Sequence, residues 1–295
     1  MTKEIRLNAF DMNCVSHIQH GMWTHPRDRS LDYNTLEYWQ QLARLAERGK
    51  LDGIFLADIV GVYDVYQGGP GPSIANAVQI PVNDPMMVVP AMAAATTHIG
   101  FGVTANLTYE PPYLFARRLS TLDHLTRGRV GWNIVTGYLD SAARGMGSAV
   151  QPDHDGRYEI ADEYMAVVYQ LWEGSWEEGA VLRDKAGRIF ADPAKIHRVK
   201  HFGRHYQVDA IHLAEPSPQR TPVLYQAGAS ARGREFAATH AECIFINGPD
   251  RKITRGIVAD IRARAAAHGR NPRDVLVFLG RAVVTARTGA EAQEK

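Results

Sequence analysis

The chain has 295 residues, 45% hydrophobic and 22% charged, with 33 Lys and Arg against 32 Asp and Glu, a formal net charge of +1. That is the composition of a globular protein with ample material for a core, and it leaves no electrostatic footprint for nucleic acid or an acidic membrane surface. No apolar run approaches the length of a membrane span, and the start "MTKEIRLNAF" carries no signal-peptide core, so a cytoplasmic location is expected. Two cysteines, Cys14 and Cys243, are too few for a disulfide framework, and neither sits at metal-ligand spacing. His197, His201, His205 and His212 cluster in a charge-rich stretch and read as solvated loop residues rather than ligands, so no metal site is expected.

Taken in chain order, short apolar or β-branched runs alternate with longer helical patterns. "IRLNAFDM" reads as a strand. After a polar loop, "TLEYWQQLARLAERGK" reads as a helix with Leu36, Trp39, Leu42, Ala43 and Ala46 on one face and Gly49 as its stop. "LDGIFLAD" is a second strand, followed by a Gly/Pro loop "QGGPGPS" that is a candidate lid, and then a helix around "DPMMVVPAMAAATT". "HIGFGVTANLTY" is a third strand and "PPYLFARRLSTLDHLTRG" a helix between Pro and Gly. "RVGWNIVTG" is a fourth strand, and "RYEIADEYMAVVYQLWEG" a long amphipathic helix. A polar insertion at about 175–220 shows hairpin-like fragments. The alternation then resumes: "TPVLYQAG", "ARGREFAATHA", "ECIFING", "ITRGIVADIRARAAAHG" and "DVLVFLGRAVVTA" read as strand, helix, strand, helix, strand, and "TGAEAQEK" as the start of a helix.

Strand and helix alternating seven times over signals parallel β/α architecture. No Gly-rich dinucleotide fingerprint follows the first strand. Polar residues close nearly every strand: Asp11 to Asn13, Asp58, Thr104 to Asn106, Asn133 to Thr136, Gln226 and Asn247. In a TIM-like barrel these ends converge on one mouth, where such enzymes keep their chemistry. The expected fold is therefore an α/β, TIM-like (β/α)8 barrel, a single domain over 1–295. Only seven strands are counted, so the eighth strand–helix unit is expected to be missing and the barrel to be C-terminally incomplete.

The stretches "NAFDMNCVSH", "ERGKLDGIFLAD", "VGVYDVY", "PVNDP", "RRLSTLDHLTRGRVGWNIVT", "HDGRYEIADEYM", "LWEGSWE", "RDKAGRIFADPAKIH", "EPSPQRTPVLYQAGAS" and "RGREFAATHAE" span nearly the whole chain. Through them the sequence resembles the bacterial-luciferase-like flavin monooxygenases, in the branch that holds nitrilotriacetate, dibenzothiophene-sulfone, dimethyl-sulfide and long-chain alkane monooxygenases. The resemblance implies a two-component system. A separate NAD(P)H-dependent flavin reductase makes reduced FMN (FMNH2), and the protein binds it with O2 as co-substrate. One oxygen atom then enters a small apolar or organosulfur substrate. It also implies a homo-oligomer. The cofactor carries the hard chemistry, and the protein orients it and keeps water out.

For the flavin phosphate, the Gly-rich turn leading into a helix offers backbone N–H groups near Ala229 and the Ser230 hydroxyl; a plain helix N-cap explains Ser230 equally well. The resemblance places phosphate there and adds Arg157 and Tyr158, with a surface ion pair to Glu159 or Asp155 as the alternative for Arg157. For the flavin ring it points to Asp58, Thr104 and Asn133, although a buried Asn also serves simply to satisfy a loop. Tyr138 in "IVTGYL" stands where the alkane enzyme has a histidine, and a phenol with a pKa of about 10 is a poor proton shuttle at neutral pH. His17 is a donor toward oxygen or a structural residue; Cys14 is a wall of the substrate pocket or a small buried hydrophobe. Tyr63 and Gln79 complete the pocket candidates. A hydrolase or isomerase on the same barrel needs paired carboxylates or a metal cluster, and Asp58 is the one acidic strand end with a clear position. The remaining alternative is a non-catalytic flavin-binding barrel fragment.

Overall fold

The structure, a computed structural model, describes residues 4–18, 20–228 and 230–294. It forms two compact units, Met1–Tyr225 and Gln226–Lys295. No helix among the described residues is long and apolar enough to cross a membrane.

The first unit opens with strand β1 (Asn8–Met12) and helix α1 (Leu36–Arg48). Thr35 caps α1 by accepting from the Tyr38 N–H. Trp39, Ala43 and Ala46 form its buried stripe at helical spacing, whereas Leu36, expected on that face, lies in the first turn and is 55% exposed. Gly49 caps the helix in an ordinary right-handed conformation, and Lys50 makes the left-handed turn. β2 (Gly53–Ala57) pairs parallel with β1. The "QGGPGPS" stretch is not an open loop: it folds into a 3-10 turn and helix α2 (Gly71–Ala75), anchored by the buried Ser73 hydroxyl donating to the Tyr63 carbonyl at 2.7 Å. The single helix expected around "DPMMVVPAMAAATT" divides into a 3-10 turn capped by Asp84 and a short helix α3 (Val89–Ala94). Pro90 lacks an N–H and takes a first-turn position, so the helix restarts there.

β3 (Gly100–Asn106), α4 (Pro112–Thr126) and β4 (Val130–Val135) follow as expected. α4 ends on Arg127 and Gly128, both at positive φ. A helix the sequence did not announce, α5 (Asp140–Gly145), precedes α6 (His154–Tyr169), which is capped by Asp153 and runs into a π-turn at Gln170–Gly174. The insertion builds two antiparallel hairpins, β5 (Val181–Asp184) with β6 (Ile189–Ala191) and β7 (Val199–Phe202) with β8 (Gln207–Ala210). β1 to β4 are parallel, and β9 (Val223–Gln226) follows β4 in the sheet order.

Two of the insertion histidines are not solvated. His212 is 3% exposed, its Nε2 3.0 Å from the Ser120 hydroxyl on α4, and burial lowers its pKa to about 4. His201 lies 3.0 Å from Glu163 on α6, which also accepts from the backbone of His205 and Tyr206. The second hairpin is thus fastened to α6 through one carboxylate.

The second unit contains α7 (Ala231–His240), β10 (Cys243–Ile246), α8 (Arg251–Ala267), β11 (Leu276–Leu279) and α9 (Gly289–Glu294). β10 and β11 pair parallel, and Ala237, Ala241, Ile244, Ile246, Ile261, Ala265 and Val275 form its core. Cys243 is buried, as expected of a core strand residue. The last strand is four residues, shorter than the run "DVLVFLGRAVVTA" announced.

Candidate active site

The register of the first unit sets two tiers on one face of its sheet. Phe10, Phe55, Gly102 and Gly131 are successive partners across β1 to β4. The two glycines make room for aromatic rings. A Cβ on Gly131 would lie 2.9 Å from both the Tyr225 ring and the Val223 carbonyl oxygen, and one on Gly102 3.3 Å from Phe55. Phe10 stacks on Phe55 at 5.4 Å, and Phe55 meets Tyr225 edge-on at 5.5 Å. Two residues further along each strand, on the same face, come Met12 paired with Ala57 and Thr104 paired with Asn133.

Thr104 and Asn133 are each 3% exposed. The Asn133 amide donates to the Thr104 hydroxyl oxygen at 2.9 Å, while Asn133 Oδ1 is buried with no hydrogen-bond partner among the described residues. Leaving such an acceptor unmet costs about 1–3 kcal/mol. Its amide meets the end of another strand, and no hydrogen bond joins the Asn133 side chain to a loop among the described residues.

Asp58 follows Ala57 directly. Burial, reinforced by the charge of Asp84 and partly offset by the Ile59 N–H, pushes its carboxyl up to about 7. Cys14 is 5% exposed, its thiol donating to the Ser16 carbonyl at 3.3 Å. Burial and the nearby charges of Asp11 and Asp58 push that thiol up to about 12, so it is a neutral buried thiol and not a thiolate. His17 stacks on Phe10 at 5.1 Å, and burial together with His20 holds its pKa below the ordinary value, so the ring is neutral near pH 7. Cys14 and Ser16 bridge to Val82 and Val78, and the Gln79 N–H donates to the Ser16 carbonyl at 3.0 Å. Cys14, His17 and Gln79 are thereby brought into one neighbourhood. Asn13 Oδ1 is a second buried acceptor without a partner among the described residues, and Asn13 lines a cleft of about 350 Å³ with Tyr33, Thr35, Trp39 and Asp84.

Tyr63 and Tyr138 meet hydroxyl to hydroxyl, across the segments that follow β2 and β4. Tyr138 is 59% exposed, yet the buried side of its phenol and the bond to Tyr63 raise its pKa further, so it stays protonated at any physiological pH. Gly137 before it is at φ 70, with a Cβ position only 2.5 Å from the Asn106 amide nitrogen, so a side chain there is strained and obstructed.

Arg157 and Tyr158 open α6. Neither ion pair weighed for Arg157 is present among the described residues: Glu159 lies against Arg204 and Asp155 against His154. Arg157 Nη1 donates to the Pro152 carbonyl at 2.6 Å, while its Nε is buried without a partner among the described residues. Tyr158 is 7% exposed and tilts against His154 at 5.2 Å. Beside Arg157 stands a residue sequence reasoning missed. Gln151 donates to the Tyr109 hydroxyl and, at 2.9 Å, to the Leu139 carbonyl, and its Oε1 is a further buried acceptor without a partner among the described residues. In the second unit, Ser230 caps α7 by accepting from the Gly233 N–H at 2.9 Å, which is the capping alternative. Ala229 lies outside the described residues.

Comparison with known proteins supplies what the geometry leaves unnamed. The family profile described as luciferase-like monooxygenase matches residues 12–295. A long-chain alkane monooxygenase of Geobacillus thermodenitrificans is 54% identical over 295 residues, covering 100% of this chain and 67% of the relative. A dimethyl-sulfide monooxygenase of Hyphomicrobium sulfonivorans is 53% identical over 295 residues, covering 100% and 62%. Among solved structures, a riboflavin lyase with modified FMN and substrate riboflavin superposes with a TM-score of 0.95 at 40% identity, covering 99% of this chain and 65% of that one. The chain therefore spans about two thirds of the length of the relatives it matches.

Proposed function

The chain belongs to the luciferase-like monooxygenase family, and from that premise we propose that it is a monooxygenase that uses reduced FMN and O2 to put one oxygen atom into a small apolar or organosulfur substrate. The observation that carries the reading is the buried Thr104–Asn133 pair with its unmet Asn133 acceptor. A flavin ring has an N–H and carbonyls along one edge. Asn133 Oδ1 would be free to accept from a ring N–H, and the Thr104 hydroxyl, used by Asn133 only as an acceptor, would be free to donate to a ring carbonyl. Arg157, whose Nε lacks a partner among the described residues, serves the phosphate together with Tyr158. Within the second unit, the N-terminus of α7 with Ser230 would itself offer donors to an anion.

Bound reduced FMN supplies the reaction with O2. Asp58, held near neutrality, exchanges a proton at working pH, which an ordinary carboxylate does not. The neutral His17 ring and the Tyr63–Tyr138 hydroxyls would supply protons to oxygen, while the buried Cys14 and Phe55 would form apolar walls that keep water out. A separate NAD(P)H-dependent reductase and assembly as a homo-oligomer belong to the same reading and rest on the family.

The test is an anaerobic titration of the chain with photoreduced FMN, followed by tryptophan fluorescence. Saturable one-to-one binding is expected, with Asn133→Ala weakening it about 10-fold, the worth of one or two hydrogen bonds. Oxygen and a panel of alkanes, sulfides and sulfones then give the substrate. Absence of binding overturns the reading; binding without turnover on any of the panel reduces it to a flavin-binding chain.

A further inference from the structure

The segments that follow β2 and β4 are joined by more than the two phenols. The Ser141 hydroxyl accepts from the Val62 N–H at 2.8 Å and donates to the Val62 carbonyl at 2.7 Å, so one side chain satisfies both backbone groups of the residue next to Tyr63. Gly61, at φ 109, lies directly beneath: a Cβ there would be 2.8 Å from Ser141 Oγ and 2.9 Å from the Ala142 nitrogen. Asp64 forms an ion pair with Arg144 on α5. Ser73 donates to the Tyr63 carbonyl at 2.7 Å. On the other side, Gln151 donates to the Leu139 carbonyl at 2.9 Å and its N–H donates to Asp140 at 3.1 Å, fixing the turn that carries Tyr138. Tyr63 thus has a held residue on both sides, and Tyr138 has held residues on its C-terminal side.

We infer that Ser141 is a positioning residue: by clamping the backbone of Val62 onto α5 it sets the Tyr63 hydroxyl against that of Tyr138, so that the two phenols act as a hydrogen-bonded pair. Two phenols contribute two O–H protons, and their mutual bond uses one. With the pair assembled, a single O–H is left over; with the clamp lost, Tyr63 follows its loop and Tyr138, mostly exposed, turns to water. The inference rests on the proposed oxygen-transfer reading for its consequence in turnover, but the clamp itself is a property of the free chain.

The decisive measurement is carbon NMR of the chain with its 12 tyrosines labelled at the ring carbon bearing the hydroxyl, with Tyr63→Phe and Tyr138→Phe providing the assignments. Ser141→Ala is expected to shift both the Tyr63 and the Tyr138 signals toward the values each shows when its partner is removed. Signals that stay where they are in the wild type overturn the inference. Should Ser141→Ala fail to fold, Arg144→Gln removes the exposed Asp64 pair instead and is expected to move the same two signals by less; no movement there has the same adverse meaning. In turnover, Ser141→Ala and Tyr63→Phe are each expected to lower kcat about 10-fold with KM little changed, and the double variant to be no worse than either, because both act through Tyr138. Losses that multiply indicate general loosening and refute positioning. Reduced-FMN affinity is unchanged in Ser141→Ala. An NMR response without any turnover would strike the proposed function and leave the clamp standing, whereas turnover without an NMR response would do the reverse.

Discussion

Replacing Asp58 by Asn tests whether the end of β2 is as poorly solvated as the structure indicates. Burial first, and then repulsion from Asp84, raise this carboxyl to about 7, with the Ile59 N–H opposing them. In the unfolded chain an Asp titrates at about 4, and each pH unit of separation is worth about 1.4 kcal/mol. Between about pH 4 and about pH 7 the folded chain holds a proton that the unfolded chain has released, so stability falls as pH rises through that window and the loss is complete above it. The full penalty comes to about 4 kcal/mol, a ceiling, since side chains and water relax around the charge. Asn carries no charge and escapes it. Asp58→Asn should therefore match the wild type near pH 4 and exceed it by up to about 4 kcal/mol near pH 8. Urea unfolding followed by tryptophan fluorescence reads this directly, because Trp23, Trp39, Trp132, Trp172 and Trp176 all lie in the first unit. A difference between the two chains that does not change with pH, or a variant less stable at the alkaline end, refutes the argument.

Two further substitutions probe the tier beneath and the phosphate side. Gly131→Ala must push against the Tyr225 ring and a carbonyl oxygen at 2.9 Å, whereas Gly102→Ala meets ring carbons at 3.3 and 3.4 Å. The first should cost about 1–3 kcal/mol and the second clearly less, and equal losses in urea unfolding would show that the glycines are not there to admit the aromatic rings. Arg157→Ala should weaken binding of reduced FMN about 10- to 100-fold, the worth of a hydrogen bond to a charged group, while leaving reduced riboflavin, which has no phosphate, unaffected. A parallel loss for both flavins in the anaerobic titration would take Arg157 away from the phosphate.

The elements were legible because the strands are short apolar runs and the helices keep one period. β1 to β4 and α1, α4 and α6 stand where those runs and the helical spacing put them. The polar residues ending those strands were equally visible, and Thr104 with Asn133 proved to be partners across adjacent strands. What escaped was everything that depends on register or on a contact distant in sequence. Gly102 and Gly131 look like ordinary interruptions of two apolar runs until the strands are aligned and place them side by side with Phe55. His212 looked solvated because its own segment is polar; it is Ser120, 92 positions away, that makes it an interior residue. Asp58 read as an isolated carboxylate, and its raised pKa comes first from burial and then from Asp84, which a short-range pattern assigns only to capping a turn.

Ser141 and Gln151 escaped for the same reason, and they show where such a site hides its support. Each is a small or neutral polar residue in a stretch without period, and each satisfies backbone groups of another segment: Val62 for Ser141, Leu139 for Gln151. A side chain that bonds the backbone places no demand on its partner's residue type, so no pattern in the partner's sequence can announce it. The residues that touch a ligand must carry particular chemistry and are therefore readable one at a time, whereas those that hold them in position need only a hydroxyl or an amide at the right place. For this chain the two tyrosines were readable one at a time, whereas neither their pairing nor the side chain that holds it was.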